Sequence, residues 1–156
     1  MIMMMKMRMM MFGGRMFIGI LIVAAFAGCA RHRAALLPDV RLQGTQWRAI
    51  ELDGSRVEFI PGQKLDVSLV LYRSGAFRAA SGCSNLSGSY TMTAARMAFA
   101  SIKVDRRPCP PKIKAREKAF LSALSRTAGY RKRGGSLSLF DRSGRRVAAF
   151  MAVQTR

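Results

Sequence analysis

Ser81-Gly82-Cys83-Ser84-Asn85-Leu86-Ser87-Gly88-Ser89-Tyr90 is a small, polar stretch with alternating apolar residues on both sides. Its two glycines can take positive φ, and its serines and asparagine can bond their own backbone. Tyr90 opens the next strand-like run. These properties predict a pinned turn over residues 82–88 between two strands, with Cys83 placed to hold it covalently. Just upstream, Leu65, Val67, Leu69 and Leu71 share one face of a period-2 pattern, the clearest strand signal in the chain. Residues 73–76 turn that strand back into 77–80.

Working outward, Trp47 and Ala49, with Ile50 and Leu52 nearby, predict a first strand over 47–52, closed by the tight turn Asp53-Gly54-Ser55. A second strand is expected over 56–60, stopped by Pro61-Gly62. Beyond the turn, residues 89–93 and 96–104 read as a hairpin with Met97 and Phe99 as its inward pair, continued by Ile102 and Val104. Residues 105–111 hold three prolines, each removing a donor and fixing φ, so regular structure breaks there. A helix is expected over 112–127, because Ile113, Ala119, Phe120, Ala123 and Leu124 make an apolar stripe at helical spacing. Glu117 in its early turns and Arg126 in its last complement the macrodipole, and Gly129 is the expected stop. A hairpin over 130–140 and a last strand over 145–153, where Val147, Ala149, Met151 and Val153 alternate, complete the chain. Many short antiparallel strands must hide their edges. The expected fold is mostly β (α+β): a partly open antiparallel β-barrel of about eight short strands, with one α-helix packed on it or plugging it.

The start of the chain reads differently. Residues 1–15 carry Lys6, Arg8 and Arg15 with no acid, and residues 16–25 are uninterruptedly apolar. A basic stretch before a short apolar run is a secretory leader. The run is too short to span a bilayer, which takes ~20 apolar residues. It ends in Ala25-Phe26-Ala27-Gly28-Cys29, which resembles the bacterial lipobox. The resemblance implies cleavage before Cys29, acylation of its thiol and amine, and, with Ala30 following, an outer-membrane anchor facing the periplasm. Several acyl chains hold firmly where one is marginal. The expected organisation is a leader over 1–28, a lipid-anchored tether over 29–41 containing His32, and one domain over 42–153.

With Cys29 taken by lipid, Cys83 and Cys109 remain. Exported chains meet oxidising conditions, so a structural disulfide is expected. A metal pair or a redox pair is the alternative reading, but there is no Cys-x-x-Cys and His32 is the only histidine, so ligands for a metal are lacking. No cofactor is expected. The 27 Lys and Arg residues against eight acids make the chain strongly basic. Removing 1–28 takes away three of the basic residues and none of the acids, leaving +16. In an envelope compartment the partners for such a surface are lipopolysaccharide phosphates and anionic lipid headgroups, not nucleic acid.

Taken together, Leu42-x-Gly44-Thr45-x-Trp47, Gly82-Cys83-Ser84-Asn85-x-x-Gly88-x-Tyr90, Arg106, Cys109-Pro110, Glu117-x-x-Phe120-Leu121-x-x-Leu124 and Leu137-x-Leu139 resemble the META/HslJ family of small exported bacterial domains. The family favours asparagine directly after the motif cysteine, where Ser84 stands here. The resemblance implies a partly open barrel with one helix. It also implies links to heat shock, envelope stress and drug tolerance, and an architecture shared with some secretin pilotins. Gly44, Trp47, Gly82, Asn85, Gly88, Tyr90 and Glu117 are the motif residues it singles out.

For function, two classes compete. Ser84 or Ser87 in a glycine-rich turn are the candidate nucleophiles of an unassigned hydrolase, but no base lies near either in sequence, and Leu86 stands where a nucleophile elbow needs glycine. The favoured reading is a monomeric, non-enzymatic binding module, tethered to the membrane by lipid, that holds or shields an anionic envelope component. The runner-up is a pilotin-like escort of an outer-membrane protein. Leu69, Phe77, Phe99 and Phe120 are expected to form core rather than to line a ligand cavity.

Overall fold

Alternating side chains and tight turns carry the chain through its strands. The computed structural model describes residues 39–153. In order they form β1 (Gln46–Leu52), β2 (Ser55–Arg56), β3 (Ser68–Leu71), β4 (Ala76–Ala80), β5 (Asn85–Met92), β6 (Met97–Val104), the helix α1 (Pro111–Arg126), β7 (Gly129–Arg133), β8 (Ser136–Phe140) and β9 (Arg146–Ala152). The leader, Cys29 and the tether as far as residue 38 lie outside the described residues.

Every strand pair is antiparallel, in the order β6-β5-β4-β3-β1-β9-β8-β7, with β2 beside the end of β1. The sheet curls into a half-barrel, the expected class. Its two outer strands approach at one point, where Arg96 and Gly129 bridge and the Tyr130 N–H donates to the Ala95 carbonyl at 3.1 Å. Beyond that point the seam is open, and α1 covers it. Ile113, Glu117, Phe120 and Leu124 recur every three or four residues, so one helical face turns inward. Phe120 meets Phe150 with ring centroids 6.3 Å apart. Trp47, Leu69, Phe77, Phe120, Leu137, Leu139 and Phe150 are at most 1 % exposed, so they fill the barrel interior as core.

Several boundaries differ from expectation for physical reasons. The Asp53-Gly54 turn has positive φ at both residues, 47° and 79°, the type I′ geometry that joins β1 to β2. The strand expected over 56–60 stops after Arg56. The Val57 N–H still donates to the Ile50 carbonyl at 2.9 Å, but the position after that on β1 is already taken, because the Ala49 N–H donates to the Val67 carbonyl at 2.8 Å. Phe59 is therefore left in a loop, 69 % exposed. The strand expected from Leu65 begins at Ser68, and Leu65 itself is exposed. Pro111 is the first residue of α1, where a missing N–H costs nothing. The helix ends at an extended Thr127, not at Gly129, which instead opens β7.

The turn expected over 82–88 is shorter. Only Ser81–Ser84 turn, and β5 begins at Asn85. Ser87, Gly88 and Ser89 are poor strand formers by composition, but pairing with β4 on one side and β6 on the other overrides that tendency. Gly88 is required there by space. A Cβ would sit 2.7 Å from the Ala100 carbonyl oxygen and 2.7 Å from the Phe77 ring. Gly88→Ala is therefore expected to cost about 2 kcal/mol, as overpacking does. A urea midpoint unchanged from the parent would contradict this close approach.

Candidate functional site

Gly82 and Glu117, with Cys83 and Cys109, gather at the end of the barrel where α1 begins. The Ser81–Ser84 turn closes on itself through the Ser81 N–H and the Ser84 carbonyl at 3.0 Å. Gly82 carries φ +88°, a conformation that suits glycine, and a Cβ there would stand 3.3 Å from the Gln63 side chain. The Ser81 hydroxyl accepts the Ser84 N–H at 2.9 Å and the Cys83 N–H at 3.3 Å. It donates to Glu117 Oε2 at 2.7 Å. The other carboxylate oxygen takes Lys114 Nζ at 2.6 Å. Two residues along the turn from Ser81, Cys83 is bonded to Cys109, with Cα atoms 6.0 Å apart. The start of α1 is thus tied to the sheet twice, by a disulfide and by a buried carboxylate.

Glu117 is 2 % exposed. Burial pushes its carboxyl up, but hydrogen bonds from Lys114, Ser84 and Ser81, with the Lys114 charge, outweigh that and hold it below the ordinary carboxylate range. Glu117 therefore does not serve the macrodipole as expected. It is an inward polar clamp.

This chemistry speaks against the nucleophile reading at Ser84. Ser81 and Ser84 are fully buried, and the Ser81 hydroxyl is already committed to the turn and to Glu117. A carboxylate with a lowered pKa is a weak base. Ser87 is placed elsewhere, exposed on the outer face of β5. Its cross-strand neighbours are Arg78 and Lys103, and no carboxylate or histidine stands opposite it. Among the described residues, no three His, Cys, Asp or Glu side chains come together to hold a metal ion.

The remaining motif residues fix how the chain enters the barrel. Trp47 Nε1 donates to the Leu42 carbonyl at 2.9 Å, and the Gly44 N–H donates to the Leu71 carbonyl at 2.8 Å. The Tyr90 hydroxyl donates to the Tyr72 carbonyl at 2.8 Å and accepts Gln43 Nε2 at 2.7 Å. Asn85 holds Asp105 through its N–H at 2.7 Å and its side-chain amide at 3.0 Å. Those bonds, with Arg107, keep the Asp105 carboxyl below its usual range and fix the path from β6 towards Cys109.

Such a set, in which each motif residue secures an entry, a turn or a clamp, is the signature of one architecture. A match to the META domain family runs over residues 40–154. The chain belongs to the META domain family. Two solved structures share its fold. An NMR structure of a protein from Burkholderia xenovorans is 25 % identical, with a TM-score of 0.56 over 73 % of this chain and 85 % of that one. A second NMR structure is 14 % identical, with a TM-score of 0.55 over 70 % and 91 %. Among curated proteins, none matches the chain.

Three residues that tie the META domain's helix to the sheet carry little signal in the sequence, two at the clamp and one at the far end of α1. Ser81 looked like one more turn serine, although its place two residues before the motif cysteine puts its hydroxyl inside the turn. Lys114 stands three residues before Glu117, a spacing that faces the two together on a helix. Arg126, in the last turn of α1, complements the macrodipole. It also reaches Asp53 at 2.5 Å and Asp141 at 3.7 Å, joining the end of α1 to two hairpin turns.

Proposed function

We propose that this META-domain chain is a lipid-anchored, non-enzymatic protein of the bacterial envelope. In this reading Cys29 carries the lipid at the outer membrane, facing the periplasm, and the domain over 42–153 binds an anionic envelope lipid. Holding or shielding that component would fit a role under heat or drug stress. The observation that carries the reading is the surplus of cations. The eight acids of the chain are largely engaged, as in Glu51 with Arg146, Asp53 with Arg126, Asp105 with Arg107 and Asp141 with Arg145. Arg56, Arg78, Lys103, Arg106, Lys118 and Arg133 form no ion pair among the described residues. Because the interior is filled, binding falls to this outer surface.

The test is a titration of the full chain, held in neutral maltoside micelles, with detergent-solubilised lipopolysaccharide or phosphatidylglycerol. Affinity is expected to fall about tenfold between low and high salt, since exposed charges are screened. Phosphatidylcholine should not bind. Binding that ignores salt, or no binding at low salt, overturns the reading.

The pilotin-like escort is the second reading, favoured by one feature. Among the described residues, β6 pairs with no strand on its outer side past the Arg96 bridge, and a groove is lined by Val104, Pro111, Ala115 and Leu121 with Arg106 and Lys118. Crosslinking from Lys118 in intact cells would yield one outer-membrane polypeptide under this reading, and lipid alone under the first.

A further inference from the structure

The outward face of β4, β5 and β6 holds an arrangement that neither the clamp nor the fold requires. The register sets Arg78 opposite Ser87, and Ser87 opposite Lys103, in one row across three strands. Directly opposed residues stand ~5 Å apart, so the two cations flank the serine at a spacing that admits one small anion. All three side chains are exposed. Arg78 and Lys103 have no hydrogen-bond or ion-pair partner among the described residues. Beside the row the face is hollowed by small residues, Ala76, Gly88, Ser89 and Ser101, into an open depression of about 830 Å³. Ser101 takes φ +53° at the irregularity in the β5–β6 pairing, a conformation uncommon for a residue with a side chain.

We propose that Arg78, Ser87 and Lys103 form a binding site for a phosphate group. The guanidinium offers a planar pair of donors, the ammonium a compact charge and the hydroxyl one more donor, a set that suits a tetrahedral oxyanion. Among the described residues of β4, β5 and β6 and their ends, the acid is Asp105, one row along, and it is held by Asn85 and Arg107. It repels an anion from that end, so the phosphate settles towards Ser89 and Ser101. This site deepens the envelope-lipid reading and rests on it: the phosphate is that of an anionic lipid headgroup, and a soluble phosphate compound shares the same chemistry.

The full chain in neutral maltoside micelles tests the site, with phosphatidylglycerol and inorganic phosphate as separate probes and the Ser87 amide resonance as the readout. Arg78→Ala/Lys103→Ala should weaken phosphatidylglycerol binding by about tenfold, as loss of two charge-assisted contacts implies. Ser87→Ala should weaken it less. Lys64→Ala/Arg142→Ala removes the same charge elsewhere, at exposed cations outside the row, and should change affinity by less than about threefold. These side chains are exposed, so all the variants should fold, and their amide spectra check that. Equal losses in both double variants, or none in the first, overturn the site and leave the envelope-lipid reading standing. Inorganic phosphate that shifts the Ser87 amide, without any binding of phosphatidylglycerol, keeps the site and overturns the lipid reading. Failure of the parent chain to bind either probe overturns both.

Discussion

Replacing Glu117 with alanine is expected to destabilise the domain by about 3 kcal/mol, the low end of what breaking a buried ion pair costs, because half-exposed Lys114 can return to water. The loss has two parts. The buried Ser81 loses the carboxylate that accepts its hydroxyl, leaving it the Ser84 carbonyl at 3.1 Å. The helix loses this polar tie to that turn. Glu117→Gln separates the parts, since it keeps an acceptor for Ser81 and removes the charge. Its expected cost is about 1 kcal/mol. The pH dependence follows from the lowered carboxyl of Glu117 in the folded state. Its contribution is fully present above the ordinary carboxylate value and is lost as pH falls through the lower folded value. Denaturant unfolding of parent and Glu117→Gln should thus give a stability gap at neutral pH that closes in acid. A gap that stays constant on acidification would show that the charge contributes nothing.

Reducing the Cys83–Cys109 bridge, or replacing both cysteines with alanine, is expected to cost about 3.5 kcal/mol, the chain-entropy value for a bridge joining residues 26 apart. The closed loop contains β5 and β6 entire and ends where α1 begins. Opening it frees the outer strand and the helix together. Urea midpoints with and without reductant measure the effect, and equal midpoints would contradict it. Because the bridge and Glu117 secure the same junction, removing both should cost less than the two losses added.

The sequence made the strand pattern legible where alternation was strong, as in Val67, Leu69 and Leu71, and made the helix legible through the spacing of Ile113, Phe120 and Leu124. The Asp53-Gly54 turn could also be read directly. Illegible were the points decided by pairing. The strand over 56–60 has adequate composition, but β1 had no free edge left to receive it. Ser87 and Gly88 read as turn, although two neighbouring strands claim them. The candidate site divides the same way. Cys83, Cys109 and Glu117 stood out by type and motif. What Glu117 does depended on which serine the fold brought beneath it. The Arg78, Ser87 and Lys103 row depended wholly on register, which a single strand's sequence does not contain.

Intact mass spectrometry of the chain recovered from membranes tests the central claim most directly. The account predicts a polypeptide beginning at Cys29, heavier by its acyl groups, with Cys83 and Cys109 lacking their two thiol hydrogens. A retained leader, an unmodified Cys29 or two free thiols in the folded protein would contradict it.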